Sequence, residues 1–189
     1  MIDFVMPQDN EEEFIRMAEK LGYKELVLLY DFNNYSDKKL EVIGKKIKIS
    51  NGIIADAKNI DKIKNKIKNE GVFIAVKSSA IDREIIEKNK ANLIFGFEES
   101  NRKDFFNQRV SGLDHILCRL AHDNNIMIGF SVSLLLNSEN KHIILGRMMQ
   151  NINLCRKFKV RTVMASFANN PYEMRGYYDL KRLLLLLAY

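Results

Sequence analysis

Short apolar runs recur along the chain at Ile2–Val5, Glu25–Tyr30, Ile47–Ala55, Val72–Val76, Leu93–Phe97, Ile126–Phe130 and Val160–Ala165. Most are apolar on successive residues rather than alternate ones, which predicts strands covered on both faces, as in a parallel sheet. The segments between them carry apolar residues at three- and four-residue steps, the period of a helix with one buried face. Phe14, Met17, Ala18 and Leu21 form the first such stripe, opened by Asn10 with an acidic turn at Glu11–Glu13 and closed by Gly22. A short helix capped by Ser36 is expected next. Ile60, Ile63 and Ile67 make the following face, and Ile81, Ile85 and Ile86 another, capped by Ser78 or Ser79. Ser111 and Asp114 resemble a capping box ahead of Leu113, Ile116, Leu117 and Leu120, and Asn124 and Asn125 end that helix. Leu145, Met148, Met149, Ile152 and Cys155 line one more, with Arg147, Gln150, Asn153 and Arg156 on or near the opposite side. Asn170 and Pro171 start a last helical region that takes in Leu180–Leu187.

Seven strands alternating with helices call for an α/β fold with a parallel sheet and right-handed crossovers, either doubly wound or closed into a barrel. Periodicity does not choose between them. No convincing eighth strand remains, and Gly52 interrupts the third run and blurs its boundary. At 189 residues the chain buries about 70% of its unfolded surface, enough for one core, so a single domain over 1–189 is expected. It stops at LLLLLAY with no polar terminator, which leaves open a natural C-terminal segment beyond Tyr189.

Composition narrows the class. Hydrophobic residues make up 47% and charged residues 29%, which fits a folded protein, and no segment is a membrane span or signal peptide, so the cytoplasm is the expected location. Cys118 and Cys155 fall on apolar helical faces and read as core residues. The net charge of +6 and pI near 9.2 suit a polyanionic partner, although many proteins share them. Distribution says more. Ten lysines against three acids between Lys38 and Lys68 read as a solvated face, while eight of ten arginines lie after residue 100. Arginine offers phosphate a planar fork, so the second half is the better phosphate-binding candidate.

In a barrel, chemistry is expected after the strands, which singles out Asp31, Asp56, Lys77, Glu98, Glu99, Ser131 and Ser166. Acids there could hold Mg²⁺. The only histidines, His115, His122 and His142, have no ligand spacing, so a transition-metal site is not expected. GxGxxG, GxxxxGK[ST] and GxSxG loops are absent.

Two collinear strings carry a resemblance. SGLDHILCRLAHDNNIMIGFS at Ser111–Ser131 and RMMQNINLCRKFKV, within Leu145–Ala168, resemble signatures of the ribonuclease P protein component 3 family, a TIM-barrel-like subunit of archaeal and eukaryotic ribonuclease P. The likeness is clearest from Ser111 to Ala168 and weaker in the first strand. It implies a distorted TIM-like barrel of about seven parallel strands with surrounding helices, related in fold to the metal-dependent PHP phosphoesterases. Those enzymes end their first strand in an Asp-Leu-His-x-His type motif. Here the string is Asp3, Phe4, Val5, Met6, Pro7, so both imidazole positions are lost and hydrolysis by the chain alone is in doubt.

The resemblance implies a subunit that binds and stabilises the catalytic RNA removing the 5′ leader of precursor tRNA, with Mg²⁺ used by the RNA and no cofactor, metal or catalytic residue in this chain. It implies a partner, the RRM-like protein component 2, in a heterotetramer of two copies each, and contact with precursor tRNA through the holoenzyme. The candidate RNA contacts are Arg102, Lys103, Arg109, His115, Arg119, Arg147, Arg156, Lys157, Arg161 and Arg175. The alternative is a stand-alone TIM-barrel metal-dependent phosphoesterase using Asp3, Asp31, Asp56 and Glu98. A third reading is a scaffold that binds only protein.

Overall fold

The computed structural model describes residues 2–32, 35, 47–67, 71–100 and 103–188. The helix expected at Ser36 lies outside them, as does Arg102. Seven parallel strands, β1 (Ile2–Val5), β2 (Glu25–Asp31), β3 (Lys48–Ala55), β4 (Phe73–Lys77), β5 (Leu93–Phe95), β6 (Met127–Ser131) and β7 (Thr162–Ala165), pair strictly in chain order. The sheet then curls until its edges meet. Val5 bridges Ala168 in parallel, with Phe167 N–H donating to the Phe4 carbonyl and Met6 N–H to that of Ala168, each at 2.8 Å. The result is a seven-stranded, nearly closed barrel, as the resemblance implied.

Among the described residues seven α-helices wrap it: α1 (Glu11–Lys20), α2 (Ile60–Lys66), α3 (Asp82–Glu87), α4 (His115–Asp123), α5 (Val132–Asn137), α6 (Lys141–Lys157) and α7 (Tyr177–Leu187). Strand alternation divides the core into layers. Phe4, Val27, Leu29, Ala75, Leu93, Phe95, Ala165 and Phe167 fill the barrel interior. Their neighbours in sequence face outward to the helices, Val5, Leu26 and Leu28 beside α1 and Ile74, Val76, Ile94, Ile128 and Phe130 elsewhere. Apolar residues in sequence are therefore needed because both strand faces are covered. Gly52 does not break β3. A Cβ there would stand 2.8 Å from Leu29 Cδ2 and from the Phe73 carbonyl, so its lack of a side chain lets strands fill the barrel's centre.

Several expectations change. Asp114 itself caps α4, accepting from the Ile116 and Leu117 amides at 2.8 Å, and Ile116 is exposed rather than core. Asp82, not a serine, closes the turn before α3, accepting from Ser78 Oγ and Ser79 N. The strand expected to reach Phe97 ends at Phe95 and turns into a 3₁₀ turn at Phe97–Glu99. Helix α5, capped by Ser131 Oγ, had no period long enough to read. Helix α6 buries Ile144, Arg147, Met148, Asn151, Ile152 and Cys155, a face rotated from the expected one, which leaves Met149 exposed. Cys118 and Cys155 are both free and buried. Among the described residues, no helix is long and apolar enough to cross a membrane.

Candidate nucleic-acid interface

At the C-terminal ends of the strands, where barrel enzymes keep their chemistry, a cleft of about 1640 Å³ opens. Leu29, Phe95 and Phe167 lie in its floor, the two phenylalanines stacked at 4.4 Å between ring centroids. Asp31, Lys77, Glu98, Glu99 and Ser131 line it, and Asp56 does not. Lys77 is tied to Glu99 at 2.6 Å.

The carboxylates proposed for a metal do not converge. Asp3 faces outward from β1, away from the barrel interior, because Phe4 takes the inward position. Its carboxylate accepts from Ser166 Oγ at 2.6 Å, Ser166 N at 2.7 Å and Phe4 N at 3.0 Å. Burial pushes its pKa up to about 6 against these bonds. Ser166, one of the strand-end residues singled out from sequence, is wholly buried in that pair and does not line the cleft. Among the described residues no three His, Cys, Asp or Glu side chains group closely enough to hold a metal ion. The donor set therefore does not fit the metal of the PHP enzymes.

Beside the cleft, α6 grips the segment after β5. Arg147 is 4% exposed, not a free cation on the helix surface, which corrects its reading as an RNA contact. One Nη donates to the carbonyls of Glu98 and Ser100 at 2.9 and 2.6 Å, while Nε and the other Nη reach Asp104 at 3.0 and 2.9 Å. Gln150 donates to the Arg109 carbonyl and to Ser111 Oγ, and Asn151 to the Ser111 carbonyl and to Glu98 Oε1. Burial raises the Asp104 carboxyl, but the Val110 N–H and Arg147 outweigh it and hold the group below its ordinary range. Glu98 goes the other way: burial pushes it up to about 7, with only the Asn151 bond and weaker contacts opposing. Glu98 Oε2 and Asn151 Oδ1 are both buried with no partner. A proton on Oε2 turns one of these two acceptors into a donor.

The other candidates split between the two ends of the barrel. Helices run antiparallel to the strands, so Lys103, Arg109 and His115 sit towards the cleft end and Arg156, Lys157 and Arg161 at the far end, while the Arg175 carbonyl accepts from the Tyr23 hydroxyl at 2.7 Å on the flank of the barrel. Arg119 lies exposed one turn into α4. Arg156 donates to the Ala188 carbonyl at 3.0 Å, and Arg161 to Asn125 Oδ1 at 3.2 Å. Arg175 donates to the carbonyls of Tyr172 and Met174. The candidates are thus not one patch. Sequence reading missed Phe105 and Phe106, which are 72% and 103% exposed on the loop held by Arg147. The signal was present in RKDFFNQR, an aromatic pair between cations outside any helical or strand period.

Known proteins resemble the chain along its whole length. Ribonuclease P protein component 3 of Methanococcus maripaludis is 27% identical, the match covering 94% of this chain and 79% of the relative. That of Methanocaldococcus jannaschii is 25% identical over 93% and 78%. Among solved structures, a chain in the cryo-EM structure of archaeal ribonuclease P with mature tRNA superposes with a TM-score of 0.82 at 26% identity, covering 100% of this chain and 83% of that one. Histidinol phosphate phosphatase from Lactococcus lactis, complexed with zinc, L-histidinol and phosphate, shares the fold with a TM-score of 0.66 at 10% identity, covering 100% and 94%. Residues 1–188 match the family described as RNase P subunit p30, and the chain belongs to that family.

Proposed function

We propose that this barrel binds and stabilises the catalytic RNA of ribonuclease P, the enzyme that removes the 5′ leader of precursor tRNA. As a member of the p30 family the chain is a protein subunit of that holoenzyme. The observation that carries the reading is the match over residues 1–188. Folding an RNA forces phosphates together, and fixed Arg and Lys side chains lower that repulsion. The exposed cations Lys103, Arg109, Arg119, Arg156, Lys157, Arg161 and Arg175, with His115, supply them. Mg²⁺ belongs to the RNA in this reading, and the chain contributes no catalytic group. Its protein partner is the RRM-like component 2, two copies of each forming a heterotetramer. The metallohydrolase alternative needs Asp3, Asp31, Asp56 and Glu98 around one ion, and Asp3 is committed to Ser166 on the outside of the barrel.

The test is reconstitution. Adding this chain and its partner to the RNA subunit raises precursor tRNA cleavage at limiting Mg²⁺, and no gain over RNA alone removes the reading. If about six phosphates are contacted, log affinity falls with log salt at a slope near −4 to −5.

A further inference from the structure

Phe105 and Phe106 are adjacent aromatic residues bared to solvent. They stand 72% and 103% exposed while most aromatic side chains of the barrel layers are buried. Their loop is not loose. Phe105 N–H donates to the Gln108 carbonyl at 2.8 Å, and Asp104 ties the base to Val110 N at 2.9 Å and to the buried Arg147. Arg109 completes the base, 3.5 Å from Asp104, and the whole is fastened to α6. An ordered turn that holds aromatic rings out in water loses little further freedom when those rings find a partner.

The chemistry around the rings selects that partner. Lys103 and Arg109 are exposed on either side, and Asn107 and Gln108 between them are exposed neutral amides. The only acid in the loop, Asp104, is already neutralised by Arg147. Aromatic faces between cations, with amides at the edge and no free negative charge, match a strand of nucleic acid whose bases stack while its phosphates meet the flanking charges. Bases inside a duplex cannot reach such rings, so the ligand is unpaired. We propose that Phe105 and Phe106 form a stacking platform for unpaired RNA bases, flanked by Lys103 and Arg109 as phosphate contacts. This rests on the RNA-binding reading above and assigns it a site that recognises single strands.

The test uses the full chain with fluorescein-labelled oligouridylate of about 12 nucleotides and an RNA duplex of about the same length. Phe105→Ala with Phe106→Ala weakens oligouridylate binding by about 5- to 150-fold per stacked base, without changing the salt slope or the duplex affinity. Leucine at both positions gives the same loss. The chain has no tryptophan, so Phe106→Trp installs a single indole whose emission oligouridylate quenches and the duplex does not. The urea midpoint of each variant confirms that the fold is intact. Alanine variants that bind oligouridylate like the parent, leucine variants that retain affinity, or an indole blind to oligouridylate each overturn the platform. So does an alanine variant that keeps its RNA affinity but no longer assembles with component 2, which makes the loop a protein contact. A parent chain that binds RNA while the variants match it leaves the subunit reading standing. One that binds neither RNA removes both.

Discussion

The two ends of this barrel use charge differently. Around the cleft, charged groups are spent on the protein itself: Arg147 on Asp104 and two carbonyls, Lys77 on Glu99, Asp104 on Val110. At the far end Arg156, Lys157, Lys159 and Arg161 crowd the junction of α6 and β7, each exposed, with Arg156 donating to the Ala188 carbonyl and Arg161 to Asn125 Oδ1. A barrel enzyme puts its working groups in the cleft. Here that end is stiffened by internal pairing, while Lys103 and Arg109 on its outer loop and Arg156, Lys157 and Arg161 at the opposite end stay exposed.

The sharpest way to break this contrast is Arg147→Ala. It strands Asp104 and the carbonyls of Glu98 and Ser100, and stability falls by about 3–5 kcal/mol, read as a urea midpoint. Next is pH. The Glu98 carboxyl is raised from 4.5 to about 7, so the folded state holds its proton more tightly than the unfolded state. Stability from this group is fully present below pH 4.5 and lost as pH rises to about 7, on the order of 3 kcal/mol. Asp3, raised from 3.8 to about 6, adds a loss of the same sign over a lower window. Glu98→Gln therefore removes the Glu98 share of the decline from about pH 4.5 to 7, so that only the Asp3 share is left and stability no longer falls between about pH 6 and 7, as chemical denaturation at stepped pH shows.

Smaller still is Gly112→Ala. Gly112 has φ +82°, and a Cβ would lie 2.6 Å from the Phe97 carbonyl, so alanine costs about 1–3 kcal/mol in the same assay. Least of all is Arg156→Ala with Arg161→Ala, which changes stability by under about 1 kcal/mol. The same pair lowers RNA affinity and reduces the salt slope by about two if both meet phosphates. An unchanged slope would put the far end out of contact with RNA.

The strands were legible as short unbroken apolar runs and most helices by their period, and barrel closure came only through the resemblance. What failed to show was polar burial. Arg147 and Asn151 sit four apart on the face that also carries Met148 and Cys155, but a rule that sends charge to solvent places Arg147 outside. Their burial depends on Asp104, Glu98 and Ser111, more than 39 residues upstream, which no local pattern reveals. Asp3 failed similarly: its partner Ser166 lies 163 positions away. The exposed phenylalanines were visible as letters but not as surface, since only coordinates separate a buried aromatic from a bare one.

The seam between β1 and β7 has a consequence for how the chain is made. β2 and β3 pair over seven residues, whereas the first strand meets the last through one bridge, two amide bonds and the Asp3–Ser166 pair. During synthesis the N-terminal strand leaves the ribosome first, yet it lacks its second neighbour until residue 168 has emerged. Ring closure therefore waits until seven strands are made, and a nascent polypeptide arrested before that point carries an unlatched edge open to capture by another chain.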